Sequence, residues 1–127
     1  MTKVQKARVR KWVDALRSGK YAQTKGRLRE LDTDGEPVYC CLGVACELHR
    51  LTGKGGKWRG EQFVMKGYEE DSELPAEVSQ YFGFGSGDPF ISKTITAAWA
   101  NDGKHWSFKK IATAIEKYYL TPTKETK

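Results

Sequence analysis

Eleven residues, Val38 to Leu48, read VYCCLGVACEL and carry a single charge, Glu47, in a chain of 127 residues of which 30% are charged. A run so poor in charge has to be covered on nearly every side, so it fixes where the core lies. Val38, Tyr39 and Cys40 are β-formers and follow the turn-rich Asp32-Thr33-Asp34-Gly35-Glu36-Pro37, which predicts a strand entering the core. From Cys41 the period changes. Cys41, Val44, Ala45 and Leu48 fall at i, i+3, i+4 and i+7, and Leu42, Ala45, Cys46 and His49 repeat that spacing on the next face. A helix apolar on two adjacent faces is buried on both, so the segment is predicted to be a strand leading into a central helix that ends near Gly53.

The flanks supply partners for that helix. Val9, Trp12, Val13 and Leu16 give one apolar stripe to a helix over Lys3 to Ser18, stopped by Gly19. Leu28 alternates with Arg27 and Arg29, which predicts a half-exposed strand to Leu31 that pairs with Val38 to Cys40 across Asp34-Gly35. Gly53 to Gly60 (GKGGKWRG) reads as a flexible turn, since its spacing is wrong for a phosphate loop. Gln62 to Met65 is a third strand, and Glu69 to Glu73 an acidic, solvated loop. A helix opening at Leu74-Pro75-Ala76-Glu77 turns Val78, Tyr81 and Phe82 inward and ends at Gly83. Phe84 to Ser92 is a glycine-rich loop, the expected mobile element and candidate lid for a small ligand. Lys93 to Ala100 is expected to form a helix burying Ile95, Ala98 and Trp99, closed by the turn Asn101-Asp102-Gly103. Ser107 caps a last helix carrying Phe108, Ile111, Ala112, Ile115 and Tyr119, and 121–127 is a frayed tail. The expectation is α+β: a single compact domain over 1–127, about four helices packed on a small antiparallel sheet of two to three strands.

Charge points to the partner. Residues 1–29 hold ten cations, Lys3, Lys6, Arg8, Arg10, Lys11, Arg17, Lys20, Lys25, Arg27 and Arg29, against one acid, Asp14, whereas the rest holds twelve cations against fifteen acids. A field of that sign attracts an acidic partner, protein or nucleic acid, and the ten cations are the candidate contact set. Tyr21, Trp58 and Trp106 are candidate stacking residues, while Trp12 and Trp99 are assigned to the core. Ser107 to Ile115 resembles the first helix of a helix-turn-helix but lacks a recognition helix after it.

Catalysis finds less support. There are two histidines and three cysteines. Cys46 and His49 lie one turn apart near Cys40 and Cys41, the one place where a zinc site has to be weighed. Adjacent cysteines at the end of a strand point to opposite faces, and no second pair completes a tetrahedral set, so neither a metal nor another cofactor is expected. An odd number of cysteines, two of them adjacent, fits a reducing compartment, and no apolar run has membrane-spanning length. The N-terminal lysines precede no apolar signal region.

Lys11-Trp12-Val13-Asp14-Ala15-Leu16-Arg17-Ser18-Gly19-Lys20-Tyr21, Gly26 with Leu28-Arg29, Tyr39-Cys40-Cys41-Leu42-Gly43-Val44, Leu74-Pro75 with Glu77-Val78, and Asn101-Asp102-Gly103 with Ser107-Phe108, Ile111-Ala112 and Ile115-Glu116 occur in that order. This pattern resembles a family of small uncharacterised proteins of tailed bacteriophages and prophages. The resemblance implies a phage protein acting in the cytoplasm of a bacterial host and brings with it no catalytic residue or cofactor. The expected function is that of a non-enzymatic accessory protein that binds a host macromolecule, for host takeover or anti-defence. The alternatives are nucleic-acid binding through the basic N-terminal helix and strand, and small-ligand binding under the 84–92 loop.

Overall fold

The first helix is started by its own sequence. Thr2 Oγ1 accepts from the Gln5 amide at 3.0 Å and Gln5 Oε1 accepts from the Thr2 amide at 2.9 Å, a reciprocal cap that satisfies two orphan donors. In this computed structural model, which describes residues 1–121, helix α1 runs Lys3–Arg17 and buries Val9, Trp12, Val13 and Leu16, the expected stripe. Trp12 is fully buried, packs its ring near Phe82 and Phe84, and donates Nε1–H to Cys41 O at 2.9 Å. The indole thus supplies apolar area and ties α1 to the central helix with its one polar atom.

That central helix, α2 (Cys41–Leu51), is buried from Cys41 through Glu47. It is reached from a hairpin of β1 (Arg29–Leu31) and β2 (Pro37–Tyr39), antiparallel, with Glu30 opposite Val38. Asp32 Oδ1 closes the turn by accepting from the Asp34 and Glu36 amides, and Gly35 takes the left-handed conformation at φ 80. Gly43 brings α2 directly onto the preceding chain: a Cβ built there would stand 1.7 Å from Leu28 O. Only glycine permits that approach.

A second antiparallel sheet, β3 (Lys57–Arg59), β4 (Gln62–Met65) and β5 (Tyr68–Glu70), shares no strand pairing with the first hairpin. The glycine-lysine turn and the acidic run therefore each contribute a strand. Sequence patterning missed both because β3 has Trp58 alone between two exposed cations and β5 carries two consecutive acids, of which Glu69 meets Arg59. The β4 pattern is clean, with Phe63 and Met65 buried.

Helix α3 (Ala76–Phe82) follows Pro75 and ends at Gly83, φ 90, whose backbone lies over the Gln5 carboxamide. The 84–92 loop is pinned to this frame. Phe84 and Ile91 are buried, Ser79 Oγ donates to Phe84 O and Ser86 O, and the Leu74 amide donates to Gly87 O. Helix α4 (Phe108–Ile115) is capped by Ser107 Oγ, packs on α1, and continues as a π-helical turn, Glu116–Leu120.

One expected helix is replaced. Residues 92–95 are irregular, Phe90 bridges Thr96, and helical conformation begins at Ala97 and passes into a π-helical turn, Trp99–Gly103. Ala97, Ala100 and Asn101 face inward; Trp99, assigned above to the core, is 55% exposed. The frayed-tail expectation for 121–127 lies outside the described residues except at Thr121. The described residues form one α+β domain of four α-helices with two small antiparallel sheets.

Gly43→Ala forces the Leu28 carbonyl or α2 to move and is expected to destabilise the fold by about 3 kcal/mol or more. Gly85→Ala, with nothing within 4 Å of its Cβ, should stay within about 0.5 kcal/mol. Urea midpoints of the two variants, compared with the parent, check the contrast.

Candidate functional site

The first amide of α2 sits in the core, and Cys40 before it offers no side-chain cap. Asn101, fully buried, fills the role from the far end of the sequence: its Oδ1 accepts from the Cys41 amide at 3.2 Å and from Gln23 Nε2 at 2.9 Å, and its Nδ2 donates to Thr24 O at 2.8 Å. Gln23 reciprocates, donating to Trp106 O at 2.8 Å and accepting from the Phe108 amide at 3.1 Å. Asp102 Oδ1 accepts from the Gly26 amide and from Asn101 Nδ2. The 22–26 loop is thereby laid against the turn that joins the π-helical segment to α4.

These bonds set the loop that carries Lys25 against the turn that carries Lys104, His105 and Trp106 and leads to Lys109 and Lys110, and the Lys104 amide is bonded to the Trp99 carbonyl. Lys25, Lys104, Lys109 and Lys110 are exposed, and among the described residues none has a carboxylate within 4 Å. The acids in this region turn inward to main-chain amides, Asp102 as above and Asp88 to Ala98 at 2.8 Å. Lys110 Nζ lies 4.5 Å from the Trp106 ring centroid, so that half-buried indole already faces a cation.

The ten cations singled out from the sequence divide by residue type. Arg10 and Arg17 both reach Glu116 at 2.8 Å, fastening α1 to the end of α4. These two guanidiniums hold the Glu116 carboxyl down to about 2. Arg8 lies over Tyr81 at 4.0 Å and donates to its carbonyl. Arg27 pairs with Glu61 and Asp71, and Arg29 stacks on Trp58 while donating to Gly60 O. Every arginine of the set is therefore spent inside the molecule. Lys3, Lys6, Lys11 and Lys25 remain without an acid among the described residues, as does Lys20, whose ammonium is 5.7 Å from the Tyr21 ring centroid.

The three stacking candidates separate likewise. Tyr21 and Trp58 flank Tyr39 edge-on at 5.4 and 6.0 Å, and Trp58 packs on Phe63 at 4.8 Å. Trp58 Nε1 donates to Glu47 Oε1 at 2.9 Å, and Arg50 grips both oxygens of Glu47 at 2.8 and 2.7 Å. Burial pushes the Glu47 carboxyl up, but the bonds from Arg50 and Trp58 outweigh it and leave the group below its ordinary value. The lone charge of the VYCCLGVACEL run thus bridges α2 to the second sheet. Trp106 alone of the three belongs to the lysine-rich turn.

Cys40, Cys41 and Cys46 are free, buried thiols; burial pushes Cys40 up to about 12 and raises the other two. His49 Nδ1 contacts Gly55 O at 3.0 Å, its ring meets Tyr81, and burial lowers its pKa. Among the described residues no three His, Cys, Asp or Glu side chains stand where they could hold a metal, and no helix is long and apolar enough to cross a membrane. Clefts open on the surface of the described residues. One, of about 270 Å³, lies between Arg8, Lys11, Leu48, Leu51 and Tyr81; another, of about 380 Å³, lies between α3 and the 85–87 segment of the glycine loop.

The fold and this surface define a small α+β protein with an unpaired lysine and tryptophan turn. The chain belongs to the family described as a domain of unknown function, DUF8296, which matches residues 4–119. Comparison with curated proteins and with solved structures finds no match. Sequence reasoning missed Asn101, Gln23 and the exposed Trp99. The Asn101-Asp102-Gly103 run was visible but read as a simple turn.

Asn101→Leu leaves the Cys41 amide unpaired in the core and takes the partner from the part-buried Thr24 carbonyl, and should cost about 3 kcal/mol, with faster amide exchange at Gly26. For Glu116 the folded pKa lies below the ordinary 4.5, so its contribution is present above pH 4.5 and is lost as pH falls toward 2. Glu116→Gln should flatten that acid limb in melts recorded across this range.

Proposed function

We propose that the protein is a non-enzymatic bacteriophage accessory protein that binds an acidic macromolecule of its bacterial host, in the host cytoplasm, through the lysine-rich turn. The observation that carries this reading is the contrast between spent arginines and free lysines: Lys25, Lys104, Lys109 and Lys110 sit on the loop and turn that Gln23, Asn101 and Asp102 tie together, and among the described residues none of them has a carboxylate within 4 Å. An uncompensated patch raises the encounter rate with an anionic partner and repels cationic ones. The phage origin rests on the resemblance of the WVDALRSGKY and YCCLGV segments to phage proteins. The buried, protonated thiols favour binding over thiol chemistry. A nucleic-acid surface built on α1 and β1 loses support, because Arg27 and Arg29 are engaged with Glu61, Asp71, Trp58 and Gly60.

The test is co-purification from bacteria at low salt with two charge-reversed variants. Lys25→Glu with Lys104→Glu and Lys109→Glu should shed the acidic partner, whereas Lys3→Glu with Lys6→Glu and Lys11→Glu should keep it. Retention by the first variant would overturn the reading, and retention by the first with loss from the second would move the site to α1.

A further inference from the structure

The lysine-rich turn carries an aromatic platform. Trp99 is 55% exposed, yet its ring is backed by main chain: a Cβ built on Gly103 would stand 2.4 Å from the indole. Gly103 therefore packs against the six-membered ring, while more than half of the residue's surface stays open to solvent. Its backbone is held at both ends, the amide donating to Thr96 Oγ1 at 3.3 Å and the carbonyl accepting from the Lys104 amide at 2.8 Å. The chain then passes through His105 in the left-handed region, φ 56, and returns so that the Trp106 amide donates to Ala100 O at 2.9 Å. A large apolar ring is normally placed inside; here it is fixed on the surface beside a lysine.

We infer that this end of the molecule binds single-stranded nucleic acid, with phosphates on Lys25, Lys104, Lys109 and Lys110 and a base stacked on the exposed indole of Trp99. The inference rests on the docking role proposed above and narrows its partner. Lysines are depleted at the cores of protein interfaces, where arginine and a wider apolar patch prevail, so an acidic protein suits this surface less. Lysine ammoniums serve phosphates as point charges, and a flat aromatic face accepts any base. A duplex keeps its base faces stacked on one another and offers Trp99 no ring to cover, which selects the single strand.

Fluorescence anisotropy of labelled oligothymidylate and oligouridylate of about 15 nucleotides tests this, alongside the corresponding duplex and retention on immobilised polyglutamate. Single strands should bind more tightly than duplex. Trp99→Ala should weaken them by about fivefold or more, leaving polyglutamate retention unchanged. Trp99→Phe, which keeps a ring over Gly103, should retain most of the affinity and so separates loss of stacking from loss of fold. Lys104→Ala with Lys109→Ala should reduce the slope of log K against log salt by about 1.4. Equal binding of duplex and single strand, or full affinity in Trp99→Ala, would overturn the stacking inference. Polyglutamate retention that depends on the lysines, with no oligonucleotide binding, would overturn it while leaving the acidic-partner reading intact; absence of both would remove that reading as well.

Discussion

The start of α2 is the point on which the other elements depend. A helix begins with amides that have no partner in its own backbone, and this one begins inside the core, where water cannot supply one. Cys40 cannot cap it, so the Cys41 amide is met by Asn101 across the fold. The same residue receives α1 through Trp12 on its carbonyl, and its thiol contacts Ala97 O at 3.5 Å. Leu28 O accepts from the Cys40 amide and lies against Gly43. Helix α1, the first hairpin, the 22–26 loop and the π-helical turn are thus all positioned against one buried helix end, and the lysine-rich surface exists because they are.

The central helix, α1 and α4 were legible because each announces itself by a stripe whose burial satisfies the hydrophobic effect with no help from elsewhere. The segment around Trp99 was not. Ile95, Ala98 and Trp99 share the helical spacing and the larger apolar area, so a reading by hydrophobicity turns them inward. The fold instead turns in Ala97, Ala100 and Asn101, a set of the same spacing and far less apolar. Small residues let this segment approach Cys41 closely, and Asn101 provides the bonds that an apolar residue there could not. The demand that decides the register, an uncapped helix sixty positions away, is invisible in the local pattern. Strands β3 and β5 escaped for a related reason: their exposed charges look like loop composition until a partner strand is known.

The basic front end shows why a charge count is weaker than a charge map. Arginine has a planar fork suited to two acceptors and to aromatic faces, and here it grips Glu116 or lies on Tyr81 and Trp58. Lysine, strongly hydrated on a flexible stem, gains less from such pairing and stays in water. A sequence total counts both alike. The positive field available to a partner is therefore carried by lysines, and its position is set by where the fold delivers Lys25 and the 104–110 segment rather than by where cations are densest in the chain.

Rigidity and exposure coincide at the same turn. An exposed indole on a loose loop would pay ordering entropy on binding, whereas Trp99 is held between Thr96, Lys104 and Gly103 before any partner arrives. The same π-helical turn also carries Asn101, whose bonds to Gln23 and to the Cys41 amide reach the start of α2, so the segment that satisfies the core and the one that presents the surface are one stretch of chain. Weakening the core at Asn101 therefore loosens the surface too, and a binding site built here inherits its preorganisation from the fold's most constrained point.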